Sequence, residues 1–343
     1  MPSLLPSLQQ LLRSCAVLAV LVPATAPAQT GEDFYRGKTL TIEVGFGPGG
    51  GYDLWARTIA RHIAQHIPGT PAVVVQNMPG AGSLTALSRL YTTAPKDGTV
   101  LAAVARAAVL GPLVGAPGAR FEPQRMSWIG TPTIDTNLCI ANAGAAVRTA
   151  KDLFERMLIT GDTGPGSGTY LYPRALKELL GLKFQPVSGF PSTADIFLAM
   201  ERREVDGVCE ALDSINSRRP EWLPTKKVAA VLQGGVEPDP ELKDVPFMLD
   251  LARNETERQQ IAFLYAGEGI GRPYVAPPDL PAGRVALLRS AFDATMRDPD
   301  FIQDAAAQKF VPKPRDGAYL EALIKRIYAT PTRVVERVGA LIK

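Results

Sequence analysis

Several groups of residues in this sequence have the types and spacing to do chemistry. The run Gly45-Phe46-Gly47-Pro48-Gly49-Gly50-Gly51 contains a G-x-G-x-x-G match between an apolar stretch and an amphipathic one. A dinucleotide site of that kind also needs an acid at the end of the next strand, to hold a ribose hydroxyl. Here that strand ends Val75-Gln76-Asn77, and no Gly-Lys-Ser/Thr follows the glycines to complete a P-loop. What survives is a flexible anion cradle, because glycines let backbone N–H groups approach a ligand and the dipole of a following helix favours a carboxylate. His62 and His66 stand i, i+4, but without the Glu of an H-E-x-x-H site or a third ligand they read as a helix face. Ser167, within Gly164-Pro165-Gly166-Ser167-Gly168-Thr169, offers a hydroxyl beside free N–H groups. With no evident base and no G-x-S-x-G, it reads as an anion binder and not a nucleophile. Arg106, just after the third strand, is the cation that chain order places to meet an anionic ligand. Glu210 and Asp213 follow a strand predicted to end at Cys209 and read as solvated positions near a cleft rim. Cys139 and Cys209 lie in apolar strand-like runs and suit either a disulfide or two buried small hydrophobes.

The elements that must position these residues repeat a pattern of strand, Gly/Pro-rich loop and amphipathic helix. The first unit is the strand 40–44, the loop 45–51 and a helix over about 53–67, with Leu54, Ile59, Ile63 and Ile67 inward and Arg57, Arg61 and Gln65 outward. The second is the strand 72–75, the loop 76–82 and a helix over about 83–91, with a strand 99–104 after the turn Pro95-Lys96-Asp97-Gly98. The third is the strand 157–160, the loop 161–168 and a helix over about 170–180. A strand 184–187 then leads to a helix 193–203, where Ser192 and Asp195 fit a capping box. Strands 205–209 and 228–232 complete the second set, and helices 284–296, 300–308 and 318–329 close the chain. Strands alternating with helices imply sheets covered on both faces. Two such sets imply two α/β lobes whose glycine loops face one small-molecule cleft.

Composition narrows the function classes. The chain has 343 residues, enough for about two domains, with 46% hydrophobic and 21% charged residues, an ordinary globular mixture. Its 37 Lys+Arg against 34 Asp+Glu give +3 without a polybasic tract, which speaks against nucleic-acid or membrane-surface binding. Two His and three Cys leave little for a multi-ligand metal centre. Met1–Ala28 carries Arg13, the apolar run Cys15–Val22 and the small-residue ending Ala24-Thr25-Ala26-Pro27-Ala28, the pattern of a secretory signal peptide cut after Ala28. Export would place Cys139 and Cys209 where a disulfide persists.

The run Phe46-Gly47-Pro48-Gly49-Gly50-Gly51-Tyr52-Asp53-Leu54-Trp55-Ala56-Arg57 resembles the first ligand loop of the Bug family, the periplasmic solute receptors of tripartite tricarboxylate transporters. Val75-Gln76-Asn77-Met78-Pro79-Gly80-Ala81-Gly82 is similar to that family's second loop. Pro95–Thr99, Gly164–Thr169, Glu204–Gly207 and Val275–Pro278 fall in its order and spacing. The resemblance implies an α/β type II periplasmic-binding-protein fold: two mixed β-sheets flanked by helices, with a hinged ligand cleft between two lobes. One lobe would comprise residues 29–128 and 241–343, and the other residues 129–240. It implies a monomeric receptor, working in the periplasm without cofactor or metal, that captures a small organic carboxylate (a di- or tricarboxylate or an aromatic acid) and delivers it to permease subunits, doing no chemistry itself. A periplasmic sensor feeding a two-component kinase would use the same cleft, and a secreted enzyme would need a nucleophile–base pair. Carried over by position, the resemblance nominates Gly47, Gly49, Gly50, Tyr52 and Asp53, then Pro79, Gly80, Ala81 and Gly82. The second lobe adds Ser167, Gly168, Thr169, Phe190, Ser192 and Asp195, and Arg106 joins them. Asp53 suits a helix cap and loop organiser held by Arg57 better than a partner for an anion. Tyr52 stands where many relatives carry Thr or Ser, and Met78 where a basic residue is frequent. With Glu210 opposite, these departures point to a ligand more apolar or aromatic than citrate.

Overall fold

The structure, a computed structural model, describes residues 34–134 and 136–341; the segment read as a signal peptide lies outside the described residues. Strands β1 (Thr39–Val44), β2 (Ala72–Asn77) and β3 (Val100–Ala103) run parallel, connected through helices α1 (Gly51–His62) and α2 (Leu84–Thr92). Val44 lies level with Asn77 and Ala103, so the loops after these strands leave the sheet along one edge. After β4 (Ser127–Thr131) the chain crosses to a second sheet, formed by β5 (Asn137–Asn142), β6 (Leu158–Asp162), β7 (Phe184–Ser188), β8 (Gly207–Ala211) and β9 (Val228–Gly234). Its helices are α3 (Asp152–Glu155), α4 (Gly168–Leu180), α5 (Thr193–Glu201) and α6 (Leu212–Arg218). The return runs through α7 (Glu255–Tyr265) to β10 (Tyr274–Ala276), then α8 (Ala282–Arg297), α9 (Pro299–Ala307), β11 (Arg315–Asp316), α10 (Gly317–Tyr328) and α11 (Thr332–Leu341). The sheet orders are β11-β4-β10-β3-β1-β2 and β7-β6-β8-β5-β9. Both are mixed, since β10 pairs antiparallel with β3 and β4, and β5 with β8 and β9.

The second sheet is buried on both faces, as alternation along β5 shows. Leu138 and Ile140 join a cluster with Ile196 and Phe197 of α5 and Ile215 of α6, while Cys139 and Ala141 join the larger core with Leu171, Tyr172 and Leu176 of α4. The two passages between the sheets lie side by side. The Thr131 hydroxyl oxygen accepts the Arg272 N–H at 2.9 Å, and Gly271, at φ +67°, sits so close to the Thr133 carbonyl that any Cβ would collide with it.

Several sequence-based boundaries shift for identifiable reasons. The first helix begins at Gly51, not Asp53, because Tyr52 is drawn into its first turn to stack on Phe46, and it tightens into a 3₁₀ turn over Ile63–His66. The strand expected over 205–209 is β8, two residues later, because its ladder with β5 continues to Asn137 opposite Ala211. The chain does not close with three helices. α11 follows Pro331, a residue tolerated at a helix start, and buries Val334, Val335 and Val338 while packing on α7 and α4. His62 and His66 lie within hydrogen-bonding distance of Asp304 and Asp298 (3.0 and 2.9 Å), joining α1 to α9 and its cap. No helix among the described residues is long and apolar enough to cross a membrane.

Cys139 and Cys209, directly opposite in the β5–β8 ladder, form a disulfide. It ties residues 70 apart in sequence, so removing it frees the unfolded chain by up to about 4 kcal/mol in the loop-entropy picture. A Cys139→Ala/Cys209→Ala double variant is expected to melt several degrees lower than the oxidised protein in scanning calorimetry. Equal melting temperatures would contradict the bridge.

Candidate functional site

Each glycine loop is shaped by a buried carboxylate. Asp53, 2% exposed, accepts the Gly49 N–H at 2.8 Å, Arg57 Nε at 3.0 Å and Asn77 Nδ2 at 2.8 Å, and so joins the loops after β1 and β2. Burial alone would push its carboxyl up, but the hydrogen bonds from Arg57, Gly49 and Asn77 outweigh it and hold the carboxyl below the ordinary aspartate range. Asp162, at the end of β6, does the same in the second sheet. It accepts the Gly164 N–H at 3.0 Å, the Ser188 hydroxyl at 2.9 Å and Arg174 Nη1 at 2.9 Å. The Ser83 hydroxyl accepts the Ala105 N–H at 3.0 Å and donates to the Gly45 carbonyl at 3.3 Å, closing the edge of the first sheet.

The loops of the two sheets meet backbone to backbone. The Gly47 N–H donates to the Pro191 carbonyl at 2.8 Å, and the Gly166 N–H to the Ala81 carbonyl at 2.9 Å. Residues 80–83 all have positive φ (155°, 47°, 61° and 77°), and a Cβ at Gly82 would collide with the Ser167 backbone nitrogen and approach the Gly164 carbonyl to 2.7 Å. Such left-handed runs cost about 1–2 kcal/mol at each non-glycine position and cluster where loops clamp ligands.

Beneath these contacts lies a cavity of about 20 Å³, room for roughly one water, so a small carboxylate requires the loops to separate. It is lined by Phe46, Tyr52, Ala105, Arg106, Asn137, Thr163, Ser167, Gly168, Thr169, Thr193, Cys209 and Glu210. Tyr52, Gly168 and Thr193 belong to the first turns of α1, α4 and α5, so the positive ends of three helices converge there. Arg106, 5% exposed, places Nε 2.7 Å from Glu268, whose carboxylate also accepts the Tyr172 hydroxyl. Burial pushes the Glu268 carboxyl up against the pull of Arg106 and Tyr172. Burial opposes the Arg106 charge too, but Glu268 overrides it and keeps the guanidinium ionised. The Tyr52 hydroxyl, pushed up by burial, accepts the Arg106 N–H at 3.1 Å. Arg272 stacks 4.8 Å from the Tyr52 ring and pairs with Asp213, which also takes Trp55 Nε1 at 2.8 Å.

Of the residues expected at the site, Tyr52, Arg106, Ser167, Gly168 and Thr169 line this cavity. The others are engaged around it. Gly47 holds Pro191, Gly49 holds Asp53, and Gly50 lies against Ser192. Gly80, Ala81 and Gly82 form the strained turn against residues 164–167, and Pro79 is exposed. Ser192 and Asp195 satisfy each other at the start of α5, and Phe190 covers Gly161. Glu210 and Asp213 are not solvated rim residues. β8 continues to Ala211, so Glu210 is a strand residue at the cavity wall, and Asp213 is held by Arg272 and Trp55. Phe46, Asn137, Thr163 and Thr193 were missed, being uncharged residues with no motif of their own. Ser192 as a cap was the one signal that could have placed Thr193 at a helix start.

No family model matches the chain. It is 38% identical over 90 residues to the UPF0065 protein in the gbd 5′ region of Cupriavidus necator, covering 26% of this chain and 27% of that protein. It is 28% identical over 225 residues to a UPF0065 protein of Bordetella pertussis, 61% of this chain and 64% of that one. The chain thus matches about a quarter and just under two thirds of the lengths of these curated relatives. Among solved structures, the periplasmic binding protein BugD superposes with a TM-score of 0.71 at 20% identity, over 89% of this chain and 99% of that one. MatC from Rhodopseudomonas palustris with bound malate gives 0.69 at 22%, over 89% and 99%. A second R. palustris protein, solved with adipate, gives 0.67 at 16%, over 89% and 98%. The fold is that of the type II periplasmic binding proteins.

Asp53→Asn is expected to destabilise the protein at neutral pH by about 1–3 kcal/mol, the cost of weakening hydrogen bonds to a buried charge. Because the folded carboxyl titrates below its ordinary value of 3.8, the Asp53 contribution is present above that value and lost as pH falls through the lower folded one. Denaturant melts of both proteins should therefore converge in acid, and a pH-independent gap would refute the charge-based role. Gly82→Ala should lower the melting temperature by several degrees through its left-handed backbone and the Ser167 clash. An unchanged melting temperature would refute the loop-on-loop contact.

Proposed function

We propose that this chain is an extracytoplasmic solute receptor of the Bug type. It captures a small organic carboxylate between its two sheets and delivers it to the permease of a tripartite tricarboxylate transporter. The observation that carries the reading is the convergence of three helix N-termini and Arg106 on one cavity roofed by glycine loops from both sheets. Backbone N–H groups and helix dipoles at such an edge bind a carboxylate without a metal. Malate and adipate in the two R. palustris structures are acids of this size. The lobes part and close about the paired passages at Thr131–Thr133 and Gly271–Arg272, where the Arg272 N–H donates to the Thr131 hydroxyl and Gly271 abuts the Thr133 carbonyl. Tyr52, Arg106, Ser167, Gly168 and Thr169 contact the ligand when the loops have parted to admit it, and the Gly47–Pro191 and Gly166–Ala81 contacts belong to the form without ligand. At the cavity Ser167 caps α4; both histidines, which do not line it, are engaged by aspartates joining α1 to α9 and its cap.

A thermal-shift panel of the purified protein against mono-, di- and tricarboxylates, aromatic acids and amino acids tests this reading. One chemical class of acid at 100 times its dissociation constant should stabilise the fold by about 2.7 kcal/mol, and the acid should be recovered unchanged. A well-folded protein that responds to no acid, or one that converts the acid it binds, would overturn the receptor reading.

A further inference from the structure

The edge of the second sheet opposite the glycine loops carries a surface that the receptor reading does not use. β6 runs parallel to β7 and β8, with Leu158 level with Phe184 and Thr160 with Gly207. β5 runs against β8 and β9, with Ala141 level with Gly207 and Asn142 with Val228. The segments 143–157, 181–183, 202–206 and 219–227 therefore meet at that far end, and three of them line one cavity of about 350 Å³. Arg148, Lys151, Arg156, Lys183, Arg203 and Lys226 are all exposed there, and none has a carboxylate partner among the described residues. The acids at this end are mostly engaged. Glu201 is held by Arg219, Glu221 by Lys227, Glu204 by Arg202 at 4.0 Å, and Asp152 by the Arg148 and Thr149 N–H groups, which leaves Glu155 and Asp206. No single stretch of sequence supplies more than three of the six unpaired cations, so the concentration of charge is a product of the fold. The carboxyl ends of α4 and α5 point the same way, and their dipoles favour Lys183 and Arg203 beside them. They do not account for Lys151 and Arg156, nor for Phe154 and Met157, large apolar side chains left 44% and 48% exposed next to these cations in the chain.

We propose that this far end of the second sheet is a docking surface for an anionic lipid bilayer. Cations would lie among the headgroups while the apolar tips of Phe154 and Met157 enter the boundary beneath them. An acidic polymer would draw the cations but gain nothing from the two apolar side chains. The proposal does not rest on the receptor reading, and a protein held in this way keeps its glycine loops, on the opposite edge, clear of the surface.

The test is flotation of the purified protein with vesicles of phosphatidylcholine alone and of phosphatidylcholine with an equal part of phosphatidylglycerol. Partition onto the anionic vesicles should be roughly tenfold stronger or more at low salt, since each cation at such a surface contributes about five-fold. Added salt should release the protein, because exposed charges are screened. Lys151→Glu/Arg156→Glu should weaken partition by roughly tenfold or more, and Phe154→Ser should weaken it several-fold. Lys313→Glu/Lys325→Glu, the same change of charge at exposed positions beside the first sheet, should leave it close to wild type. No preference for anionic vesicles, no release by salt, undiminished binding by Lys151→Glu/Arg156→Glu, or an equal loss in the first-sheet variant would each overturn the proposal. Retention on immobilised poly-L-glutamate without binding to vesicles would overturn it too, and would assign the cations to an acidic protein. Should the charge-reversed variant not fold, Lys151→Gln/Arg156→Gln takes its place.

Discussion

The buried pair of Arg106 and Glu268 is the constraint around which the cleft is built. A charge removed from water is tolerated only if its partner is close and its remaining valences are met, and breaking such a pair is far costlier than never having made it. Arg106 follows β3, Glu268 lies on the return passage before β10, and Tyr172, which donates to Glu268, belongs to α4 under the second sheet. The pair therefore pins three distant stretches of chain beneath one cavity. It also sets the electrostatics there, because the cation at the cavity is already paired with an anion.

Around that pair, precision comes from backbone. Gly82 and Gly166 bring loops of opposite sheets closer than any side chain permits, and the positive φ values over residues 80–83 hold the approach in place. Asp53 and Asp162 fix the loops from behind, each receiving a glycine N–H and a side chain from the neighbouring strand end. The loops are rigid within themselves, and the two passages between the sheets touch at Thr131–Thr133 and Gly271–Arg272. The ordering of these loops is spent in folding.

Much of this was legible along the chain. The pairing of glycine loops with amphipathic helices located both sheets, and the Ser192–Asp195 capping box marked the start of α5 correctly. The role of Asp53 as organiser of its loop was readable from its i, i+4 relation to Arg57. Other features left little or no local trace. α7 spreads its apolar residues around the helix, so its periodicity is weak, whereas α11 does show helical spacing in Val334, Val335 and Val338. Asp162 looks like any polar residue at a strand end until Gly164 and Ser188 fold back on it.

By itself, the sequence determined much of the local geometry: the strand–loop–helix units, where glycine permits a left-handed turn, and that the loops sit at the carboxyl ends of strands. These follow from periodicity and backbone sterics, which act over a few residues. Only the tertiary structure decided what faces the cavity. Whether Glu210 is a loop residue at the rim or a strand residue at the cavity wall turns on how far β8 runs, and that is set by its pairing with β5, some seventy positions away and bonded to it through Cys139 and Cys209. Side chains in a strand alternate faces, so a site built at a strand end inherits its chemistry from pairing partners that no local pattern can name.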